Sequence, residues 1–211
     1  MEKNITSRFE ERYTELEKTI CYESPSGKSS LWIVEDYVNN YKKTYKKVQS
    51  LLLEHEPPIV VFGKQCRQPR NVGFFSDESK GYNYSGQLMA SQKFSKGRVC
   101  KTLMTKINDD LGTKFNGVLV NEYINGSKTV GSHSDDESNL SDGVVACITF
   151  GQTRKFVIRH KESGDRLEFY PEAGSLLVMD GDFQKEYKHE IPAQRKITES
   201  RISLTMRCHL S

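Results

Sequence analysis

Two histidines and one aspartate have the spacing of a metal site. His133 and Asp135 are two positions apart, so both side chains point to the same side of an extended chain. His189 lies much later in the sequence and completes the set. Two imidazoles and one carboxylate form the facial triad of non-haem Fe(II) oxygenases, although zinc hydrolases also use such ligands. Because the chain has five histidines, this spacing alone does not establish a metal site.

A pair of arginines follows the last of these histidines. In RISLTMR, Arg201 and Arg207 are separated by an even number of residues, so a strand places both on one face. Two inward guanidiniums are costly unless anions pair with them. A dicarboxylate co-substrate would supply such anions, with one arginine holding its distal carboxylate. The alternative is a structural salt bridge to Asp135 or Glu122.

Smaller polar side chains accompany the arginines. Ser203 and Thr205 share the strand face of Arg201. Asn121 and Tyr123 are another pair two positions apart, and we expect them to add hydrogen bonds to the same ligand.

Residues 61–110 combine positive charge with aromatic side chains. This segment holds nine basic and four acidic residues, whereas the whole chain has a net charge of only +3. Basic side chains among aromatics suit a surface that neutralises phosphates and stacks bases. The alternative is an ordinary solvated face over a packed core.

The elements that position these residues are predicted from hydrophobic spacing. Residues 31–54 show a helical period that ends before Pro57-Pro58, and residues 97–111 show a second one. Residues 59–64 predict a strand that turns at Gly63. From Phe115 onward the pattern predicts short strands, which favours a sandwich or barrel such as the jelly roll. These strands cover residues 115–124, 143–151, 154–160, 166–170, 174–181 and 201–209.

Composition narrows the class of protein. Hydrophobic residues make up 36% of the 211 residues, which is enough for a packed core. There is no run of 18 apolar residues, and residues 1–20 have no apolar signal-peptide centre. The five cysteines are scattered, without a CxxC pair, which argues against a disulfide framework. We therefore expect an intracellular, reducing compartment and no membrane partner.

Several motifs occur together in an order that resembles a known family. NEYINGSKTVGSHSDDE, FVIRHK, GSLLVMDG, a histidine and RISLTMR resemble the AlkB family of Fe(II)/2-oxoglutarate-dependent dioxygenases. VFGK, QPRN and GYNYSG resemble the nucleotide-recognition lid of the eukaryotic AlkB homologues that repair alkylated DNA. The likeness runs from roughly Ile59 to Arg207.

The resemblance implies a mainly β (α+β) fold. The core would be a double-stranded β-helix, or jelly roll, preceded by a helix-containing nucleotide-recognition lid. We expect a polar, flexible segment at 1–30, the N-terminal extension and lid at 31–112, and the catalytic core at 113–211.

The resemblance also implies a reaction. Fe(II), 2-oxoglutarate and O2 would remove N-methyl groups from bases such as 1-methyladenine and 3-methylcytosine in DNA, releasing formaldehyde, succinate and CO2. The partner would be duplex or single-stranded DNA, and the protein a monomer, nuclear if its source is a eukaryote. The alternatives are an RNA demethylase, a protein hydroxylase, a zinc hydrolase and an inactive jelly-roll binding module.

By the same resemblance, His133, Asp135 and His189 would hold iron and form the catalytic set with Arg207. Arg201 would bind the distal carboxylate of 2-oxoglutarate, and Arg207 would lie near the carboxylate that chelates the metal. The supporting hydrogen bonders would be Asn121, Tyr123, Ser203 and Thr205, where Ser203 replaces an asparagine that is frequent in the family.

The family pattern also indicates residues for the damaged base. Asp136 would contact its exocyclic amino group, assisted by Glu137, because a carboxylate accepts from an amino group and favours a cationic base. Tyr82 and Tyr84 would stack on the flipped base. The alternatives are a solvated acidic loop and hydrophobic packing.

A further set would contact the nucleic-acid strand. Phe62, beside Gly63 in a hairpin finger, would wedge into the base stack, or else be an ordinary core residue. Lys64 and Arg70 would contact phosphates.

Overall fold

The computed structural model describes residues 16–61, 63–84, 87–137, 140 and 143–210. Within this part of the chain, two antiparallel sheets, two hairpins and three helices are formed. No helix in the described residues combines the length and the apolar character needed to span a bilayer.

The larger sheet has seven strands. In chain order these are β1 Ile20–Glu23, β2 Ser29–Val34, β5 Asn71–Phe75, β8 Gly117–Tyr123, β10 Val145–Gly151, β13 Leu176–Gly181 and β15 Arg201–Arg207. Their order across the sheet is β1-β2-β13-β10-β15-β8-β5.

The smaller sheet has four strands in the order β12-β11-β14-β9. They are β9 Val130–His133, β11 Phe156–His160, β12 Arg166–Phe169 and β14 Tyr187–Ile191. The first hairpin pairs β3 Pro58–Val61 with β4 Lys64–Arg67, and the second pairs β6 Gly81–Tyr84 with β7 Gln87–Ala90. The helices are α1 Tyr41–Gln49, α2 Arg98–Leu111 and α3 Phe183–Glu186.

Two apolar cores lie on the two faces of the larger sheet. In β2, Trp32 and Val34 join a core that also contains the buried side of α2. Leu31 and Ile33 point the other way, into a core shared with the smaller sheet. A strand buried on both faces is apolar at successive positions rather than at alternate ones, which explains the run LWIV.

The structure confirms a mainly β fold consistent with a jelly roll. The helix predicted at 97–111 is α2, and the strands predicted from Phe115 onward are all present. The helix predicted at 31–54 is wrong at both ends, because residues 31–34 belong to β2 and α1 covers only Tyr41–Gln49. Residues 59–64 form most of a hairpin, and Gly63 in its turn has a positive φ of 75°.

The N-terminal part of the chain contributes to the core sheet. β1, β2 and β5 lie in the same sheet as β8 and β15, so a boundary near residue 112 does not separate two layers. Ser29 and Ser30 are buried, although they fall in the segment predicted to be flexible. Residues 1–15 of that segment lie outside the described part of the chain.

One buried arginine fastens the loops next to the smaller sheet. Arg154 is 1% exposed and donates hydrogen bonds to the carbonyl oxygens of Asn125 (3.0 Å), Lys128 (2.9 Å) and Pro192 (2.8 Å). The first two carbonyls precede β9 and the third follows β14, so Arg154 ties together the loops beside both strands. Backbone carbonyls thus satisfy the guanidinium in place of a carboxylate.

Candidate active site

Strand pairing brings the two histidines of the predicted triad together. His133 in β9 lies directly opposite His189 in β14, and their ring centroids are 4.4 Å apart. Asp135 lies just beyond the end of β9, with Oδ1 3.5 Å from Nε2 of His133 and Oδ2 3.7 Å from Nε2 of His189. One ligand atom from each residue lies within 4.8 Å of the others, so all three can reach a common ion.

Burial and charge keep Asp135 and His189 in the protonation states that bind metal. Burial by itself would raise the pKa of Asp135, but the Arg207 guanidinium, 2.5 Å away, and His189 hold that pKa well below its usual range. Burial, together with the neighbouring His133, lowers the pKa of His189 to about 3. At neutral pH the site therefore offers a charged carboxylate and a neutral imidazole.

The donor atoms also fit a divalent cation. Oδ1 of Asp135 pairs with Arg207, whereas Oδ2 accepts no hydrogen bond from the described residues. Buried polar atoms normally find partners, so this free oxygen, with the Nε2 atoms of both histidines facing the same carboxylate, suits a metal. Imidazole and carboxylate ligands suit iron well.

A glutamine that sequence analysis did not identify holds the aspartate in place. Gln184 in α3 is 4% exposed, and its Oε1 accepts the backbone N–H of Asp135 at 2.9 Å. Ser134 Oγ donates to the carbonyl of Tyr187 at 2.8 Å. The loop with Asp135 is therefore tied to the segment that leads into His189.

A ring contact supports the second histidine. Phe156 in β11 stacks on His189 with a centroid separation of 5.5 Å and an interplanar angle of 22°. Neither this contact nor the Gln184 contact has a signal in a single sequence, because both depend on which strands become neighbours.

The second predicted group lies in the same cavity as the triad. Strand β15 pairs with β8 so that Arg201 is opposite Tyr123 and Ser203 is opposite Asn121. Residues directly opposite each other in a ladder share a face. The predicted residues that line the cavity are Arg70, Tyr82, Asn121, Tyr123, His133, Asp135, His189, Arg201, Ser203, Thr205 and Arg207.

The two arginines of β15 have different partners. Arg207 forms an ion pair with Asp135, so the salt bridge considered from the sequence exists for this residue. Arg201 is 3% exposed and lies 5.5 Å from the ring centre of Tyr123, and no carboxylate of the described residues forms an ion pair with it. A buried guanidinium without a counter-ion fits the carboxylate of an anionic co-substrate.

Tyr82 and Glu137 form a contact at the edge of this cavity. Tyr82 is 2% exposed and donates its hydroxyl hydrogen to Oε1 of Glu137 at 2.6 Å. Its ring centre is 5.2 Å from the guanidinium carbon of Arg207. Asp136, by contrast, is largely exposed, with its carboxylate 3.7 Å from Lys161.

Some of the residues predicted to contact nucleic acid lie elsewhere than expected, or fall outside the described residues. Arg70 was predicted to contact a phosphate, but it is 4% exposed and donates from Nε to Oδ1 of Asn121 at 2.7 Å. Its burial does not fit a phosphate contact, and it lines the cavity instead. Lys64 is exposed in β4, so its ammonium group is accessible to a phosphate. Phe62 lies outside the described residues, as does the side chain of Tyr84.

Comparison with known proteins identifies the class that this fold and site define. Residues 32–207 match the family model described as 2OG-Fe(II) oxygenase superfamily. The chain belongs to this superfamily. Two solved structures share the fold. The structure titled "The structure of OsALKBH1" matches with a TM-score of 0.54 and 14% identity, covering 85% of this chain and 96% of that one. A 2OG-Fe(II) oxygenase family oxidoreductase from Burkholderia pseudomallei matches with a TM-score of 0.57 and 16% identity, covering 84% of each chain.

The chain is also similar to curated proteins of the AlkB type, in line with the resemblance predicted from the motifs. It is 31% identical over 158 residues to human "DNA oxidative demethylase ALKBH2", covering 71% of this chain and 60% of that protein. It is 36% identical over 119 residues to human "Alpha-ketoglutarate-dependent dioxygenase alkB homolog 3", covering 52% and 42%. The chain thus spans less than two thirds of the length of these relatives. Membership in the superfamily confirms the predicted cofactors, because its members are oxygenases that use Fe(II) and 2-oxoglutarate.

We expect the Gln184→Leu substitution to weaken metal binding about tenfold to a hundredfold, because the backbone of Asp135 loses its tether. Titration with Co(II), followed by absorption spectroscopy, measures this affinity without turnover. Gln152→Leu, which removes an amide outside the cavity, is the matched control. Equal affinity in the two variants would contradict a positioning role for Gln184.

We expect Arg201→Ala to raise the 2-oxoglutarate concentration needed for half-maximal turnover about tenfold to a hundredfold. The reason is the loss of a charge-assisted pair worth roughly 1.5–3 kcal/mol. Initial rates of succinate formation at varied 2-oxoglutarate provide the measurement, and Arg195→Ala, at an exposed position, is the control. An unchanged requirement would remove Arg201 from the co-substrate site.

Proposed function

We propose that this protein is an oxidative demethylase that removes N-methyl groups from nucleic-acid bases, with DNA as its substrate. The observation that carries the proposal is the position of Tyr82. Its ring lies in the same cavity as the triad and the unpaired Arg201. A planar substrate stacked on this ring would lie next to the metal ligands. The human relative named a DNA oxidative demethylase supports the same reaction.

Different residues bind the metal and the co-substrate. His133, Asp135 and His189 hold Fe(II), and Arg201 binds the distal carboxylate of 2-oxoglutarate. Bound Fe(II), with 2-oxoglutarate and O2, supplies the oxidation of the N-methyl group, which leaves as formaldehyde while 2-oxoglutarate becomes succinate and CO2. The side chains of Asn121, Tyr123, Ser203, Thr205 and Arg207 line the pocket for the co-substrate.

Tyr82 and the neighbouring acids select the base. Tyr82 stacks on the flipped base, as Tyr84 of the same strand would, and its hydrogen bond fixes the carboxylate of Glu137 close to the stacking ring. This carboxylate, with Asp136 nearby, accepts hydrogen bonds from an exocyclic amino group. Methylation at the ring nitrogens of adenine or cytosine makes the base cationic, and a fixed negative charge favours that form.

The competing functions fit less well. An RNA demethylase would use the same cavity, and it is the second candidate because nothing in Tyr82 or Glu137 depends on the sugar. A protein hydroxylase has little use for a buried stacking tyrosine at the metal. An inactive binding module would retain a buried, unpaired Arg201 without benefit. We further propose that the protein is a monomer and, if its source is a eukaryote, nuclear.

The proposal is tested with methylated single-stranded DNA, duplex DNA and RNA, each incubated with Fe(II), 2-oxoglutarate and ascorbate. Mass spectrometry counts the methyl groups lost. We expect loss from DNA with the wild-type protein and none with Asp135→Ala, while circular dichroism shows the fold retained. Asp109→Ala, which removes an exposed carboxylate in α2, is the control. Normal succinate production by Asp135→Ala, or loss of methyl groups only from RNA, would contradict the proposal.

We expect Phe62→Ala to lower activity on duplex DNA more than on single strands. A wedge that fills the place of a flipped base matters only where a base stack must be opened. Rates on one methylated sequence, presented alone and annealed to its complement, give the comparison. Equal losses on both substrates would reject the wedge.

A further inference from the structure

A second cavity lies between the two hairpins. Pro57, Val72, Leu88 and Met89 provide apolar walls, and Tyr82 lines both this cavity and the one that contains the triad. Whatever occupies the second cavity therefore lies next to the ring on which we propose that the damaged base stacks.

Two of the polar groups of this cavity offer hydrogen-bond acceptors. Gln68 is 3% exposed, and its Oε1 has no hydrogen-bond partner among the described residues. Burying a carbonyl oxygen without a donor is costly, so a ligand with an N–H group would satisfy it. Glu54, which is exposed at the rim, adds a carboxylate that only accepts when it is ionised.

The walls and the acceptors together define the class of ligand. Leu88, which lines this cavity, keeps 66% of its surface exposed, so its side chain is available for contact with a ligand. The apolar walls suit a ring, and the acceptors favour one that carries an amino group. Phosphate fits less well, because the carboxylate of Glu54 would repel it when ionised.

We propose that this cavity receives the nucleobase adjacent to the damaged one and recognises its exocyclic amino group through Gln68 Oε1. This inference rests on the proposed demethylase function, because it takes the damaged base to be stacked on Tyr82. The preferred neighbours are adenine, cytosine and guanine, which carry amino groups, and the disfavoured neighbour is thymine. The cavity thus gives the enzyme a sequence-context preference at one side of the lesion.

The test changes the ligand by a single amino group. Single-stranded oligonucleotides carry one methylated base, flanked on either side by guanine or hypoxanthine, or by adenine or unsubstituted purine. Fluorescence anisotropy measures the affinity of the full chain for each. We expect the amino-bearing base to bind about threefold to tenfold more tightly than its analogue at one flank, the effect of one hydrogen bond.

Protein variants assign this effect to the cavity. Gln68→Leu should bind both members of each pair equally, whereas Gln65→Leu, the same change at an exposed position of the same hairpin, should keep the wild-type difference. Wild-type affinity that is independent of the amino group at both flanks, or a difference that survives in Gln68→Leu, would overturn the proposal. The wild-type comparison stands even if Gln68→Leu does not fold.

Demethylation by the wild-type protein is measured on the same oligonucleotides. Removal of methyl groups without any effect of the flanking amino group rejects the second cavity as a base site and leaves the proposed function standing. Failure to remove methyl groups from every oligonucleotide rejects the proposed function itself.

Discussion

The carboxylate of Asp135 is the interaction on which the cavity depends. Among the described residues that line the cavity it is the only acid, whereas Arg70, Arg201 and Arg207 contribute three guanidiniums. Asp135 balances one of them through its ion pair with Arg207 and faces both histidine rings. The remaining positive charge cannot be solvated by bulk water in a buried site, so the cavity favours anionic ligands and holds its own metal ligand charged.

The register of the antiparallel strands brings these charged and metal-binding side chains together. His133 and His189 are opposite each other only because β9 and β14 pair as they do, and a slip of one residue would turn one ring to the other face. Arg154 fixes the loops beside these strands through backbone carbonyls, and Gln184 fixes Asp135. The relative positions of the three predicted ligands therefore depend on the sheet and its loops, not on the ligands alone.

The sequence predicted the parts of this arrangement that repeat along one strand. Arg201 and Arg207 share a face because side chains alternate between the two faces of a strand, and this alternation can be read from the sequence. Residues 31–34 were mistaken for a helix, because a short apolar run buried on both faces carries no period that distinguishes strand from helix. The burial of Arg70 could not be predicted from the sequence. Its partner Asn121 is distant along the chain and becomes its neighbour only when β5 pairs with β8.

Contacts through Tyr82 connect the hairpin of β6 and β7 to the predicted metal ligands. Its hydroxyl holds Glu137, its ring lies against the guanidinium of Arg207, and Arg207 in turn pairs with Asp135. A base stacked on Tyr82 would change the surroundings of Arg207 and, through it, the charge balance at a metal ligand. These contacts form a continuous chain from β6 to Asp135, one of the predicted metal ligands.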